Sequence, residues 1–174
     1  MSKSIPIIKG KKIRLAIVGC GRISKNHFDS IEKHQNDIEL ISICDSQKEV
    51  LNKHEIKYKV KGYLDLNDML KNENLDLVAI CTPSGLHAKQ TELCAKRGVN
   101  VMTEKPMATR WQDGLRMVKV CDDECVKLFV IKQNRSNPTL QLLKRAINEK
   151  RFGKINMFHF HTAYSFYKIK IRYA

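Results

Sequence analysis

The residues with chemical potential in this sequence fall in four short turns, each following an apolar run. Gly19-Cys20-Gly21-Arg22-Ile23-Ser24 is the first. Gly19 permits a tight turn, and Gly21 leaves room for a phosphate beside the backbone. A helix starting at Ser24 would aim free N–H groups and a partial positive charge at that phosphate. Ser24 stands where a third glycine or alanine is usual, and it is small enough for close packing. Asp45 closes the next apolar run, at about the distance from the glycines where a carboxylate receives the ribose hydroxyls of a dinucleotide. Its charge would repel a 2′-phosphate, which favours NAD over NADP; a helix N-cap is the other role open to it.

Thr82-Pro83-Ser84-Gly85-Leu86-His87 and Glu104-Lys105-Pro106 are the third and fourth turns. Backbone and hydroxyl groups of Thr82, Pro83 and Ser84 could line a cofactor. His87 could join them or simply cap the following helix. Lys105 could orient a substrate hydroxyl or share in proton transfer, since a lysine amine loses its proton more readily when desolvated; a surface Lys-Pro turn is the plainer alternative. Gln133-Asn134-Arg135 follows a further apolar run, as site groups or as a solvated loop.

These turns need a scaffold that brings them to one edge. Ile13–Val18 reads as a buried strand, followed by a helix from Ser24 to about His34. Leu40–Cys44 is a second strand, with a short helix near Lys48–His54. A weak strand at Lys61–Tyr63 and a helical turn near Leu66–Leu70 precede the strong strand Leu75–Cys81. A helix over His87–Arg97 stops at Gly98. Val99–Thr103, a helix over Arg110–Glu124 and a strand over Lys127–Lys132 follow. Pro138 opens a helix to Lys150, and Ile155–His161 alternates like a strand. Strands alternating with helices predict an α/β fold: a Rossmann-type doubly wound parallel sheet whose carboxyl edge gathers all the turns.

Composition narrows the classes. The 174 residues are 43% hydrophobic and 29% charged, as in a soluble globular domain. No apolar run approaches the ~20 residues of a membrane span, and residues 1–6 do not resemble a secretory leader, so a cytoplasmic location is expected. The six cysteines read as buried thiols rather than a disulfide framework. Cys121 and Cys125 lack further ligands nearby, so no metal is expected. The net charge of +14 is spread along the chain without an arginine-rich block. It suits an anionic dinucleotide better than nucleic acid.

Taken together, Gly19-Cys20-Gly21-Arg22-Ile23 with His27, Asp45, Thr82-Pro83-Ser84 with His87, and Glu104-Lys105-Pro106 resemble the Gfo/Idh/MocA oxidoreductases. The stretches Val101–Trp111 and Val130–Arg135 are similar to the subgroup that oxidises C3 of UDP-N-acetylglucosaminuronate in lipopolysaccharide O-antigen synthesis. The resemblance implies hydride transfer between a sugar carbon and NAD. It assigns Gly19, Gly21, Arg22 and Ile23 to the pyrophosphate turn, Asp45 to the adenosine ribose and Glu104 to the nicotinamide ribose. Thr82, Pro83, Ser84, His87 and Gln133 join the cofactor site, and Lys105 contacts the reacting hydroxyl. It also implies a UDP-sugar partner, homo-oligomers among full-length relatives, and a second α/β domain bearing an acid and a histidine about one helical turn apart.

That pair has no counterpart here, because no aspartate follows Asp123. The expected organisation is a flexible lead-in over 1–12, the NAD-binding domain over 13–135, and a crossover helix with the first strand of a truncated second domain over 136–163. Residues 164–174 do not resemble the family's continuation and read as an aberrant tail. The expected activity is that of the NAD-binding portion of a dehydrogenase, inactive alone. Half of a split enzyme and a non-catalytic NAD-binding or interaction module are the alternatives.

Overall fold

The structure is a computed structural model that describes residues 7–157 and residue 159. Its contacts divide the chain into two units, with the boundary after Lys132.

In the first unit the strands are β1 (Ile13–Val18), β2 (Ile38–Cys44), β3 (Lys61–Tyr63), β4 (Leu77–Ile80), β5 (Asn100–Thr103) and β6 (Leu128–Val130). The helices are α1 (Ser24–Lys33), α2 (Lys48–Tyr58), α3 (Leu66–Asn72), α4 (His87–Ala95) and α5 (Trp111–Asp123). The strands form one parallel sheet in the order β3-β2-β1-β4-β5-β6. This is the doubly wound arrangement expected from the alternation of strands and helices, with its reversal of direction between β1 and β4.

Side-chain alternation along the strands builds a core on each face. Ala16, Val18, Val78 and Ile80 point to one face, where Leu66, Met69 and Leu70 of α3 and Cys94 of α4 cover them. Leu15, Ile17 and Ala79 point to the other, under Phe28 and Ile31 of α1 and Leu51 of α2. Both faces are buried, which is why Leu15–Val18 of β1 and Leu77–Ile80 of β4 read as unbroken apolar runs.

Helix α2 runs four residues past the expected end at His54. Tyr58 stacks on Phe28 with ring centroids 4.0 Å apart, and His54 stacks on the same ring at 5.4 Å. This packing on α1 carries the helix until Lys59 turns left-handed, with φ of 53°. Strand β6 is shorter than expected and forms the sheet's edge.

The cysteines behave as buried thiols. Cys20, Cys44, Cys81, Cys94 and Cys121 are buried, and Cys125 is partly exposed. Burial, then nearby negative charge, pushes the first four up from 9.0 to about 12 and Cys121 to about 11. The unfolded chain releases these protons from about pH 9, while the folded chain keeps them. The contribution is therefore fully present below pH 9 and is lost as the pH rises toward 11–12. Stability should fall as the pH rises from about 9 toward 11, each thiol adding up to about 1.4 kcal/mol per pH unit to the slope. Urea denaturation across that range measures it, and Cys94→Ala should flatten the slope. A flat profile in the native chain would contradict the assignment.

The second unit contains a 3-10 turn over Gln133–Ser136 and helix α6 (Pro138–Asn148). Asn137 caps α6, its Oδ1 accepting from Thr139 N–H at 2.9 Å, and Pro138 takes an early position as expected. The strand expected over Ile155–His161 is not formed at Ile155–Met157 or at His159. Among the described residues this unit has no other strand to pair with, and an isolated strand leaves its backbone groups unsatisfied. Phe158, Phe160, His161 and the tail over 164–174 lie outside the described residues, as do residues 1–6 of the lead-in. No helix among the described residues is long and apolar enough to cross a membrane.

Candidate functional site: the carboxyl edge of the sheet

Strand register sets the site. Val18 is level with Cys44 on one side and Ile80 on the other. Cys44 is level with Tyr63, and Ile80 with Thr103. The next residue of each strand forms a second row across the edge: Leu64, Asp45, Gly19, Cys81 and Glu104. Backbone bonds extend into that row, from Gly19 N–H to Cys44 O at 2.8 Å, Cys81 N–H to Val18 O at 2.7 Å and Glu104 N–H to Ile80 O at 3.0 Å. Residues separated by 85 positions in the chain are thereby placed on one line.

The two glycines of the first turn serve different needs. Gly19 has φ of 90°, and a Cβ there would lie 2.8 Å from the backbone of both Cys81 and Thr82. It lets the β1–α1 turn cross close to the end of β4. A Cβ on Gly21 would meet nothing within 4 Å. The space beside Gly21 is open, as a pyrophosphate requires. Ser24 is fully buried and donates its hydroxyl to Gly21 O at 2.6 Å, locking the turn. No side chain caps the N-terminus of α1, and its first turn carries no acid. Exposed Arg22 and Ile23 precede the helix. These features fit a dinucleotide's phosphates.

Asp45 is not the N-cap of α2, a position Gln47 takes, but its carboxylate holds two backbone donors. Its Oδ2 accepts from Cys20 N–H and its Oδ1 from Gln47 N–H, each at 2.8 Å. The first bond ties β2 to the glycine turn, and the second shapes the entry to α2. Each carboxylate oxygen has further lone-pair capacity for a ribose hydroxyl.

A cleft of about 530 Å³ opens beside Gly19, Gly21 and Asp45 and is walled by Leu64, Leu86 and Pro83. Leu64 and Leu86 are 54% and 47% exposed. Two such leucines at one mouth offer apolar contact to a flat base. Sequence reading passed them over; the available signal was the position of Leu64 immediately after β3.

The Thr82–His87 turn is braced rather than open. Thr82 donates its hydroxyl to Gln90 Oε1 at 2.5 Å. His87, 1% exposed, places Nε2 2.9 Å from Thr82 O and Nδ1 3.1 Å from Pro106 O. It joins two turns of the edge and does not cap α4, whose N-cap is Leu86. Pro83 is exposed and Ser84 half-buried.

Glu104 is 8% exposed. Its Oε1 accepts from His27 Nε2 at 2.8 Å and its Oε2 from Lys105 N–H at 3.2 Å. Lys105 itself is exposed and precedes Pro106 in a cis peptide. Gln133 opens the second unit and is exposed. Among the described residues no group of three or more His, Cys, Asp or Glu is arranged to hold a metal.

Comparison with known proteins agrees with this geometry. The model of the Gfo/Idh/MocA oxidoreductase family, NAD-binding Rossmann fold, matches residues 13–132. The chain is 52% identical to a WlbA dehydrogenase from Bordetella pertussis crystallised with NADH and UDP-GlcNAcA, with a TM-score of 0.80 over 82% of this chain and 44% of that one. It is 54% identical to a WlbA dehydrogenase from Chromobacterium violaceum, also in complex with NADH and UDP-GlcNAcA. There the TM-score is 0.82 over 86% of this chain and 43% of the other. Among curated proteins, D-apiose dehydrogenase of Paraburkholderia graminis is 31% identical over 144 residues, 82% of this chain and 38% of its own length. The chain thus spans well under half the length of these relatives. By its family match, its sheet order and its carboxyl-edge turns, the chain belongs to the Gfo/Idh/MocA oxidoreductases, and residues 13–132 are its NAD-binding Rossmann domain.

Proposed function

We propose that this domain holds NAD(H) across the row formed by Asp45, Gly19, Cys81 and Glu104, as the cofactor half of a dehydrogenase acting on C3 of UDP-N-acetylglucosaminuronate. The observation that carries the reading is the row itself. It places an open phosphate turn between a carboxylate suited to the adenosine ribose and a lysine turn suited to substrate. The pyrophosphate lies at Gly21 and the α1 N-terminus, with Arg22 and Ile23 beside it. The adenosine ribose meets Asp45, and the base lies between Leu64 and Leu86. Thr82, Pro83 and Ser84 line the path toward the nicotinamide end, which Glu104 and Lys105 close. His87 contributes by bracing those turns, and Gln133 belongs to the cofactor set that the family resemblance implies. Held there, NAD would supply the hydride acceptor for the sugar carbon. Lys105 holds the hydroxyl on that carbon and helps hand on its proton as the carbonyl forms. The identity with two proteins crystallised with NADH and UDP-GlcNAcA supports the substrate class; the place in lipopolysaccharide sugar synthesis in the cytoplasm rests on the family resemblance.

Fluorescence titration with NADH and NADPH tests the cofactor assignment. NADH should bind the more tightly, because the 2′-phosphate would face the Asp45 carboxylate. Asp45→Ala should weaken NADH by about 1–3 kcal/mol through loss of charge-assisted bonds. Asp45→Asn, which keeps one acceptor, should narrow the gap between the two cofactors. Equal affinities in the native chain would refute this placement of the ribose.

A further inference from the structure

His27 lies in the first turn of α1, directly behind the open phosphate turn, yet its partner is on β5. Its side chain and that of Glu104 are only 11% and 10% exposed, and Nε2 lies 2.8 Å from Oε1. A carboxylate offers only acceptors, so His27 donates. The other carboxylate oxygen receives the Lys105 N–H at 3.2 Å. One side chain therefore connects the helix at the pyrophosphate to the turn that carries Lys105. In a doubly wound sheet the dinucleotide crosses between these two places. A carboxylate so little exposed is not held by water, and without its donor it would turn outward, drawing the Lys105 turn with it.

We propose that His27 is a positioning residue. Through Glu104 it fixes the β5 turn and thereby sets how firmly the nicotinamide half of the cofactor is held. The inference rests on the NAD(H) placement proposed above. It separates the two halves of the ligand: adenosine and pyrophosphate are bound by α1 and the turns after β1, β2, β3 and β4, whereas the nicotinamide riboside depends on the His27–Glu104 bond.

The full chain and its His27→Phe, His27→Asn and His27→Gln variants are titrated with NADH and with ADP, which lacks the nicotinamide riboside. Phenylalanine keeps a ring but no donor, asparagine is too short to reach Glu104, and glutamine can restore an N–H. His27→Phe is expected to weaken NADH about tenfold, the scale of one hydrogen bond to a charged group. ADP should change less than about twofold, and His27→Gln should recover most of the loss. If the phenylalanine variant does not fold, His27→Asn carries the same expectation. A purely structural role would lower both affinities together. Equal losses for NADH and ADP, or native NADH affinity without a donor at position 27, would overturn the inference while leaving the cofactor site in place. A native chain that binds neither probe would overturn the site assignment and this inference with it.

Discussion

Gly21→Val is expected to abolish NADH binding in a chain that remains folded, while Gly19→Ala should unfold or severely weaken the chain before binding can be measured. The two residues share one turn, but their surroundings are opposite. A Cβ at Gly21 enters open space, so a valine there should shift stability by no more than about 0.5 kcal/mol, as at an ordinary surface position. The same branched side chain would fill the volume a pyrophosphate needs, and affinity should fall by at least about a hundredfold. At Gly19 a Cβ would come within 2.8 Å of the Cys81 and Thr82 backbones, on a φ of 90°. Overlap and backbone strain together should cost roughly 3 kcal/mol or more. Urea denaturation and NADH titration on both variants separate the effects. Native NADH affinity in folded Gly21→Val would mean that the cofactor lies elsewhere.

Incubated with NAD and UDP-N-acetylglucosaminuronate, residues 1–174 by themselves are expected to form NADH at a rate near background. Hydride transfer needs the sugar carbon held against the nicotinamide, and positioning of that kind supplies roughly 7–11 kcal/mol in the best cases. In the two relatives crystallised with both ligands, this chain has counterparts for 44% and 43% of the residues. Residues 1–174 carry no aspartate after Asp123, so the acid and histidine pair that the family resemblance implies is not supplied by them in this assay. A missing proton-transfer partner for Lys105 costs a further ~10²–10⁴-fold. NADH absorbance, with a single-turnover measurement to catch tightly held product, gives the rate. Turnover comparable to that of an intact relative, lost in Lys105→Ala, would show that these residues suffice for catalysis.

The parts of the fold that were legible in the sequence were those where local and tertiary demands agree. Leu15–Val18 of β1 and Leu77–Ile80 of β4 are buried between helices on both faces and read as continuous apolar runs. The parallel, doubly wound character of the sheet followed from regular alternation with helices. The end of α2 was not legible, because it depends on Tyr58 meeting Phe28, a contact between separate helices. Within the site, residue types indicated the chemistry but not how many partners each group already has. Asp45 was readable as a ribose acceptor or as a helix N-cap, but Gln47 takes the cap position and the Asp45 carboxylate instead accepts from Cys20 and Gln47 N–H. His87 was weighed as a cofactor contact or helix cap, yet it bridges two carbonyls 24 positions apart in the chain. The expected strand after α6 depends on neighbouring strands, which sequence pattern alone cannot supply.

The buried cysteines make the folded chain chemically quiet in a way that can be put to use. At neutral pH a thiol held near 12 presents almost no thiolate, the species that reacts with an alkylating reagent. Five of the six should therefore be labelled only when the chain opens, with the partly exposed Cys125 marking the native baseline. A ligand that binds only the folded form lowers the open population by the factor 1 + [L]/Kd. Mass-resolved labelling in rising NADH would thus report cofactor affinity without any spectroscopic signal from the cofactor, each added alkyl group recording an opening that binding failed to prevent.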